Sequence, residues 1–191
     1  MKPAQALGLA LLALGGAVVY SMSNKSVTVS MRLAFLKAFS PIALEVVRRN
    51  NWPLIVAPLL VAWAAMESAW GTSKLATEGF NVFGVKAGST WRKQGSAYDE
   101  YVTHEHQGQK GYPPEGETIK AYFRHYESWA ASLDDLLHML SITNIYKPAF
   151  DALKRGDYQG FFQAIDASGY STAKNYSDRI KNFVSDVGGM A

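Results

Sequence analysis

From Pro53 to Ser68 the chain reads PLIVAPLLVAWAAMES, and its only charged side chain is Glu67. A run this apolar offers water no polar face, so as a helix it must be buried on every side at the centre of a domain. Pro53 opens that helix, and Pro58 falls within its first turn or kinks it. The competing reading, a membrane-spanning helix, fails because the run is short and is closed by a carboxylate.

The flanking segments supply what would wrap this helix. Between Met31 and Asn51, Leu33, Leu36, Ile42, Val46 and Val47 recur at helical spacing, with Pro41 after Ser40 marking a helix start and Asn50-Asn51 a stop. From Asn81 to Tyr126 the texture changes to glycines and prolines separating two β-favouring pieces, Tyr98–Thr103 and Thr118–Phe123. In the second piece Ile119, Ala121 and Phe123 alternate with Lys120, Tyr122 and Arg124, as a half-buried hairpin requires. Helical patterns return over Ser128–Leu140, Asp157–Ser168 and Asn175–Val187, with Ser132, Asp157 and Asn175 as candidate caps. The expected fold is α+β and mostly α, with a small β-lobe and a cleft between lobes.

The amino-terminal segment lies outside that domain. From Pro3 to Met22 only Gln5, Tyr20 and Ser21 carry polar groups, and roughly 20 residues of helix cover about 30 Å, enough to cross a bilayer. A cleaved signal peptide cut after Gly15 would strand Ala17, Val18, Val19 and Tyr20 on the mature protein, so an uncleaved transmembrane anchor is the better reading. Residues 1–30 are therefore anchor and short polar linker, and residues 31–191 the folded domain. Flanking charges do not decide the orientation, since Lys2 lies on one side and Lys25, Arg32 and Lys37 on the other.

Composition removes several function classes. With no cysteine there is no disulfide, thiolate nucleophile or Cys-based zinc site. A net charge of +3 suits an anionic polymer or surface but is too small to indicate nucleic acid. His104 and His106 flank Glu105 and would share one face of a strand, but no third ligand stands out, so neither a metal nor any other cofactor is expected.

Glu67 carries the most chemical information. It closes the apolar helix with Trp63 one turn before it and Trp70 just after. A carboxyl held against indole rings in a low-dielectric cleft resists ionisation, so its pKa should rise and leave it able to donate a proton near neutrality. Glycosidic cleavage asks for such an acid. The bland alternative is a solvated helix-end carboxylate paired with Lys74.

The segment MESAWGTSKLA (Met66–Ala76), followed by NVFGVKA (Asn81–Ala87), resembles the signature of glycoside hydrolase family 73, the peptidoglycan β-N-acetylglucosaminidases. Glu67, Ser68, Trp70, Gly71, Asn81, Phe83, Gly84 and Lys86 match in kind and order. FRHYESWAASLDD (Phe123–Asp135) and SGYSTAKNY (Ser168–Tyr176) resemble two further blocks, so the likeness spans about residues 35–187. The departures are Ala69 for a glycine and Ala173-Lys174 for Asp-Pro, which removes a loop carboxylate.

The resemblance implies a lysozyme-like fold with Glu67 as general acid. It places the second carboxylate on the β-lobe, where Glu105 aligns best and Asp99, Glu100, Glu115 and Glu117 are rivals. Tyr170 matches a tyrosine lining the family's cleft and is expected to hydrogen-bond the reacting sugar; Tyr176 is expected to pack in the domain. Trp70, Asn81, Phe83, Lys86, Trp91, Tyr98 and Tyr122 form the expected substrate-binding set, although Phe83, Phe123 and Trp129 also read as core aromatics. Asp135 is expected to support the cleft from behind. The implied partner is the glycan strand of peptidoglycan, cut after N-acetylglucosamine by a domain held outside the membrane through residues 3–22, in wall remodelling or in a phage virion. A lytic transglycosylase or muramidase on the same scaffold, and a wall-binding module without turnover, are the alternatives.

Overall fold

A computed structural model describes residues 27–104, 118–171 and 175–190 of the chain. The transmembrane reading of residues 3–22, and the side chains of Glu105, His106, Glu115 and Glu117, lie outside the described residues. Among those described, no helix is long and apolar enough to cross a membrane.

The chain forms α1 (Val29–Arg49), α2 (Val56–Ser68), α3 (Lys74–Glu78), α4 (Ser89–Lys93), β1 (Tyr98–His104), β2 (Thr118–Arg124), α5 (Trp129–Ile142), α6 (Lys147–Lys154), α7 (Tyr158–Ala167) and α8 (Tyr176–Met190). The fold is mostly helical, with a two-stranded sheet inserted between α4 and α5.

Every residue of α2 except Pro58 is buried, and Pro58 sits in the first turn, where its missing N–H costs nothing. The helix packs against α1 on one side and α8 on another. Trp63, fully buried, meets Phe83, Phe161 and Tyr170 edge-on, so the α2 core joins the loop after α3 to α7 and the segment before α8.

Two readings of the helix ends are corrected. Pro41 does not start a helix: α1 begins at the Thr28 cap, whose hydroxyl accepts the Met31 N–H at 3.3 Å, and runs unbroken through Pro41. The buried stripe Phe35, Phe39, Ala43, Val46 and Val47 continues across the proline, and that packing outweighs the one hydrogen bond it removes. Ser132 is not a cap either. It lies inside α5, fully buried, and its hydroxyl accepts the Val82 N–H at 3.3 Å, while Ser128 caps the helix through the Ala131 N–H. Asp157 caps α7 as expected. Helices α3, α4 and α6 were not anticipated, each being too short to show a periodic pattern.

The strands pair antiparallel, with Tyr98 opposite Arg124, Glu100 opposite Tyr122 and Val102 opposite Lys120. Side-chain alternation divides the hairpin. Ala121 and Phe123 go inward and join Leu75 and Tyr101 in a small apolar cluster of their own. Tyr98, Glu100, Lys120, Tyr122 and Arg124 share the opposite, polar face. The hairpin is tied to the helical body through the loop after α3, where Ala87 N–H donates to Tyr122 O at 2.8 Å and Arg124 N–H to Val85 O at 2.9 Å.

Candidate active site

Helix α2 ends in an unusual turn. Ala69, Trp70 and Gly71 have φ of +50°, +59° and +74°, three left-handed residues in a row. For Ala69 and Trp70 this costs roughly 1–2 kcal/mol each. Backbone and side-chain bonds hold it: Trp70 N–H to Ala65 O at 2.8 Å, Ser73 N–H to Ser68 O at 2.9 Å, and Gly71 N–H to the Ser68 hydroxyl at 2.8 Å. Gly71 has no room for a side chain, since a Cβ would come within 2.8 Å of the Trp129 ring and 2.9 Å of the Phe35 ring. The turn stops the helix one residue after Glu67-Ser68 and sends Trp70 away from the acid.

Trp70 packs edge-on to Phe35 of α1, stacks on Phe183 of α8 and lies under the Arg32 guanidinium. It is a core residue between α1 and α8 rather than part of a sugar platform. Of the two tryptophans expected beside Glu67, only Trp63 touches its environment.

Glu67 is 2 % exposed. The Tyr176 hydroxyl donates to its Oε1, and the same hydroxyl accepts the Trp63 Nε1–H at 2.7 Å. Among the described residues Oε2 has no hydrogen-bond partner. Burial pushes the carboxyl up to about 7; the Tyr176 hydrogen bond, the positive charge of Arg179 and Trp63 act in the opposite sense and fall short of cancelling it. Lys74 plays no part, since it pairs with Glu78 one turn along α3. The result is a buried acid half-protonated near neutrality, with one oxygen tethered and the other without a hydrogen-bond partner among the described residues.

Tyr176 packs in the domain, as its sequence position suggested, but it is also the group that holds Glu67. No local signal marked it: the two are brought together by the packing of α8 on α2. Tyr170 is 4 % exposed, with its ring against Trp63, Tyr146 and Tyr176, and burial followed by the charge of Glu67 pushes its phenol well above the ordinary range. It adjoins the acid as a neutral phenol.

Asn81, expected to bind substrate, is 1 % exposed and spends its amide on the backbone. It donates to Val85 O at 2.9 Å and to Arg124 O at 2.8 Å, and accepts the Val85 N–H at 2.9 Å. It clamps the loop after α3 to the end of β2. Phe83 is core, meeting Phe39 and Trp63. Lys86 is mostly buried and bridges to Phe123 through its backbone.

The polar face of the hairpin gathers the remaining aromatic candidates. The Arg124 guanidinium lies 4.1 Å from the centre of the Trp91 ring and bonds Asp135 at 2.5 Å, and the Tyr126 hydroxyl donates to the same Asp135 oxygen at 2.7 Å. Asp135 thus ties Arg124 and Tyr126 to α5. Alongside, Arg92 lies 4.4 Å over Tyr122, and Tyr98 meets Tyr122 edge-on at 5.6 Å. The carboxylates of β1 part company. Glu100 is on the polar face and pairs with Lys120 at 2.7 Å, whereas Asp99 is on the other face and pairs with His125 at 2.7 Å. Among the described residues no set of three or more acidic, histidine or cysteine side chains is grouped to hold a metal.

A family model described as Glucosaminidase, mannosyl-glycoprotein endo-beta-N-acetylglucosaminidase, matches residues 41–188. The chain is 32% identical over 136 residues to the exo-glucosaminidase LytG of Bacillus subtilis, covering 68% of this chain and 43% of the relative. It is 30% identical over 133 residues to the peptidoglycan hydrolase FlgJ of Escherichia coli K12, covering 68% and 39%. It thus spans less than half the length of these curated relatives. The solved glycoside hydrolase domain of Salmonella typhimurium FlgJ superposes with a TM-score of 0.62 at 28% identity, over 84% of this chain and 99% of that one.

Proposed function

The chain belongs to the glucosaminidase family, and on that premise we propose that it hydrolyses the glycan strands of peptidoglycan at the β-1,4 bond after N-acetylglucosamine, with Glu67 as general acid. The observation that carries the reading is the state of Glu67. A carboxyl with a pKa of about 7, one oxygen held by Tyr176 and the other unpartnered among the described residues, holds a proton near neutrality to give to a leaving glycosidic oxygen. Relatives named as peptidoglycan hydrolases support the substrate class.

A second carboxylate completes the chemistry by activating water on the far side of the sugar or by stabilising the cation that forms there. We assign that role to Glu105, the residue that aligns best with the family's position, ahead of Glu115 and Glu117 and of the two described acids of β1, which pair with His125 (Asp99) and Lys120 (Glu100). Residues 3–22 anchor the enzyme in a membrane, with the catalytic domain on the wall side. That layout serves a cell remodelling its wall or a phage particle breaching one.

Clearing of purified sacculi by full-length protein in detergent tests the mechanism. Glu67→Gln keeps shape and hydrogen bonding but removes the proton, and should lower the rate about 10²–10⁴-fold while wall binding persists. Near-normal clearing by the folded variant would overturn the assignment. The products report the bond: a new reducing N-acetylglucosamine end supports the reading, whereas a reducing or anhydro-muramic end would replace it with a muramidase or a transglycosylase.

A further inference from the structure

Two guanidinium groups lie over aromatic rings on the polar face of the hairpin, and they differ in one respect. Arg124, over Trp91, is neutralised by Asp135. Arg92, over Tyr122, is exposed, and among the described residues it pairs with no carboxylate. Among the described residues, the acid on this face near Tyr122 is Glu100, and it pairs with Lys120. Lys93 follows Arg92 on α4 and is also exposed.

The stacking changes what Tyr122 can do. One side of its ring is covered by Arg92 at 4.4 Å and its flank is met by Tyr98, so it presents a guanidinium where a bare tyrosine would present a flat ring to sugar C–H groups. A guanidinium resting over a ring keeps N–H groups free to take a carboxylate by two parallel hydrogen bonds. Tyr98, 44% exposed beside it, remains available for apolar contact.

We propose that Arg92, on its Tyr122 platform, is a specificity residue that recognises a carboxylate on the peptide borne by the glycan strand, so that the enzyme prefers peptide-substituted strands to bare ones. This rests on the reading of peptidoglycan as substrate and adds what is recognised beyond the sugar chain. Bare strands still bind, through the remainder of the cleft.

Binding separates the proposal from the catalytic assignment. Full-length Glu67→Gln in detergent is titrated with soluble glycan strands carrying their peptides and with the same strands stripped by an amidase, the lactyl carboxylates that this cleavage frees being converted to amides. The expected result is about tenfold tighter binding of the peptide-bearing strands at low salt, in keeping with a charge-assisted pair. The preference should shrink near 1 M salt, where the Debye length falls to about 3 Å. Adding Arg92→Gln should abolish the preference and leave the bare strands bound as before. Equal weakening of both ligands would overturn the proposal, because it would make Arg92 a packing residue of α4. So would a preference that survives the substitution. If the wild type fails to clear sacculi while Arg92 still selects peptide-bearing strands, the hydrolase reading falls and this one stands.

Discussion

Glu67 and Glu100 are the same side chain in opposite surroundings. The first closes a buried helix where the Tyr176 phenol, the Arg179 charge and Trp63 do not offset the loss of water, so burial raises its pKa to about 7. The second stands on an exposed strand face, and the hydrogen bonds from Lys120 and Tyr122 hold its carboxyl below the ordinary range. Burial without a full set of partners yields an acid; pairing in water yields a permanent anion. The chain places one of each on the two lobes.

The difference predicts how each variant behaves. The largest stability effect belongs to Glu67. Its pKa is higher in the folded state than the ordinary 4.5, so the folded protein binds more protons across that interval and stability falls as pH rises from about 4.5 to about 7. The loss reaches about 3 kcal/mol above neutrality. Glu67→Gln should therefore stabilise the fold at pH 8, with the gain vanishing near pH 4, as denaturant midpoints across pH would record. A variant no more stable than wild type at pH 8 would mean that the carboxylate is solvated.

Next in size is the clamp that joins the lobes. Asn81→Ala removes the partner of the Val85 N–H and of the Arg124 carbonyl, while Val85 O keeps the Arg124 N–H, and should cost about 2 kcal/mol. Amide exchange should rise in the β2 end and the loop after α3 more than in α2. Uniform exchange throughout would show that the hairpin is held by other contacts.

Tyr176→Phe should cost about 1–2 kcal/mol, because the Trp63 N–H and Glu67 both lose a partner. Since Tyr176 lowers the pKa of Glu67, its removal should move the alkaline limb of the pH–rate profile upward. An unmoved limb would separate Tyr176 from the acid. The smallest effect is expected for Glu100→Gln, with thermal midpoint and clearing rate close to wild type, since an exposed pair contributes little. A severe loss of clearing would instead make Glu100 the second carboxylate.

What the sequence determined by itself is whatever depends on near neighbours. The unbroken apolarity of Pro53–Met66 commits α2 to burial, and burial of its last turn raises the pKa of Glu67 whatever packs around it. The alternation in β2 likewise puts Phe123 in a core and Tyr122 on a polar face without reference to the rest of the chain. Pro41 misled because its effect on a helix is local, whereas the stripe that keeps α1 intact is satisfied only by contact with other elements. Which groups surround the acid was decided by tertiary structure alone. Trp70 is three residues from Glu67, yet two left-handed residues turn it toward Phe35 and Phe183. Tyr176 is more than a hundred residues away, yet docking of α8 on α2 places its hydroxyl on the carboxyl. A periodic pattern records how much of an element is buried, because burial is summed over a face. The identity of the atom that meets one oxygen is set by the rotation and register of two helices, and no pattern within either helix contains that.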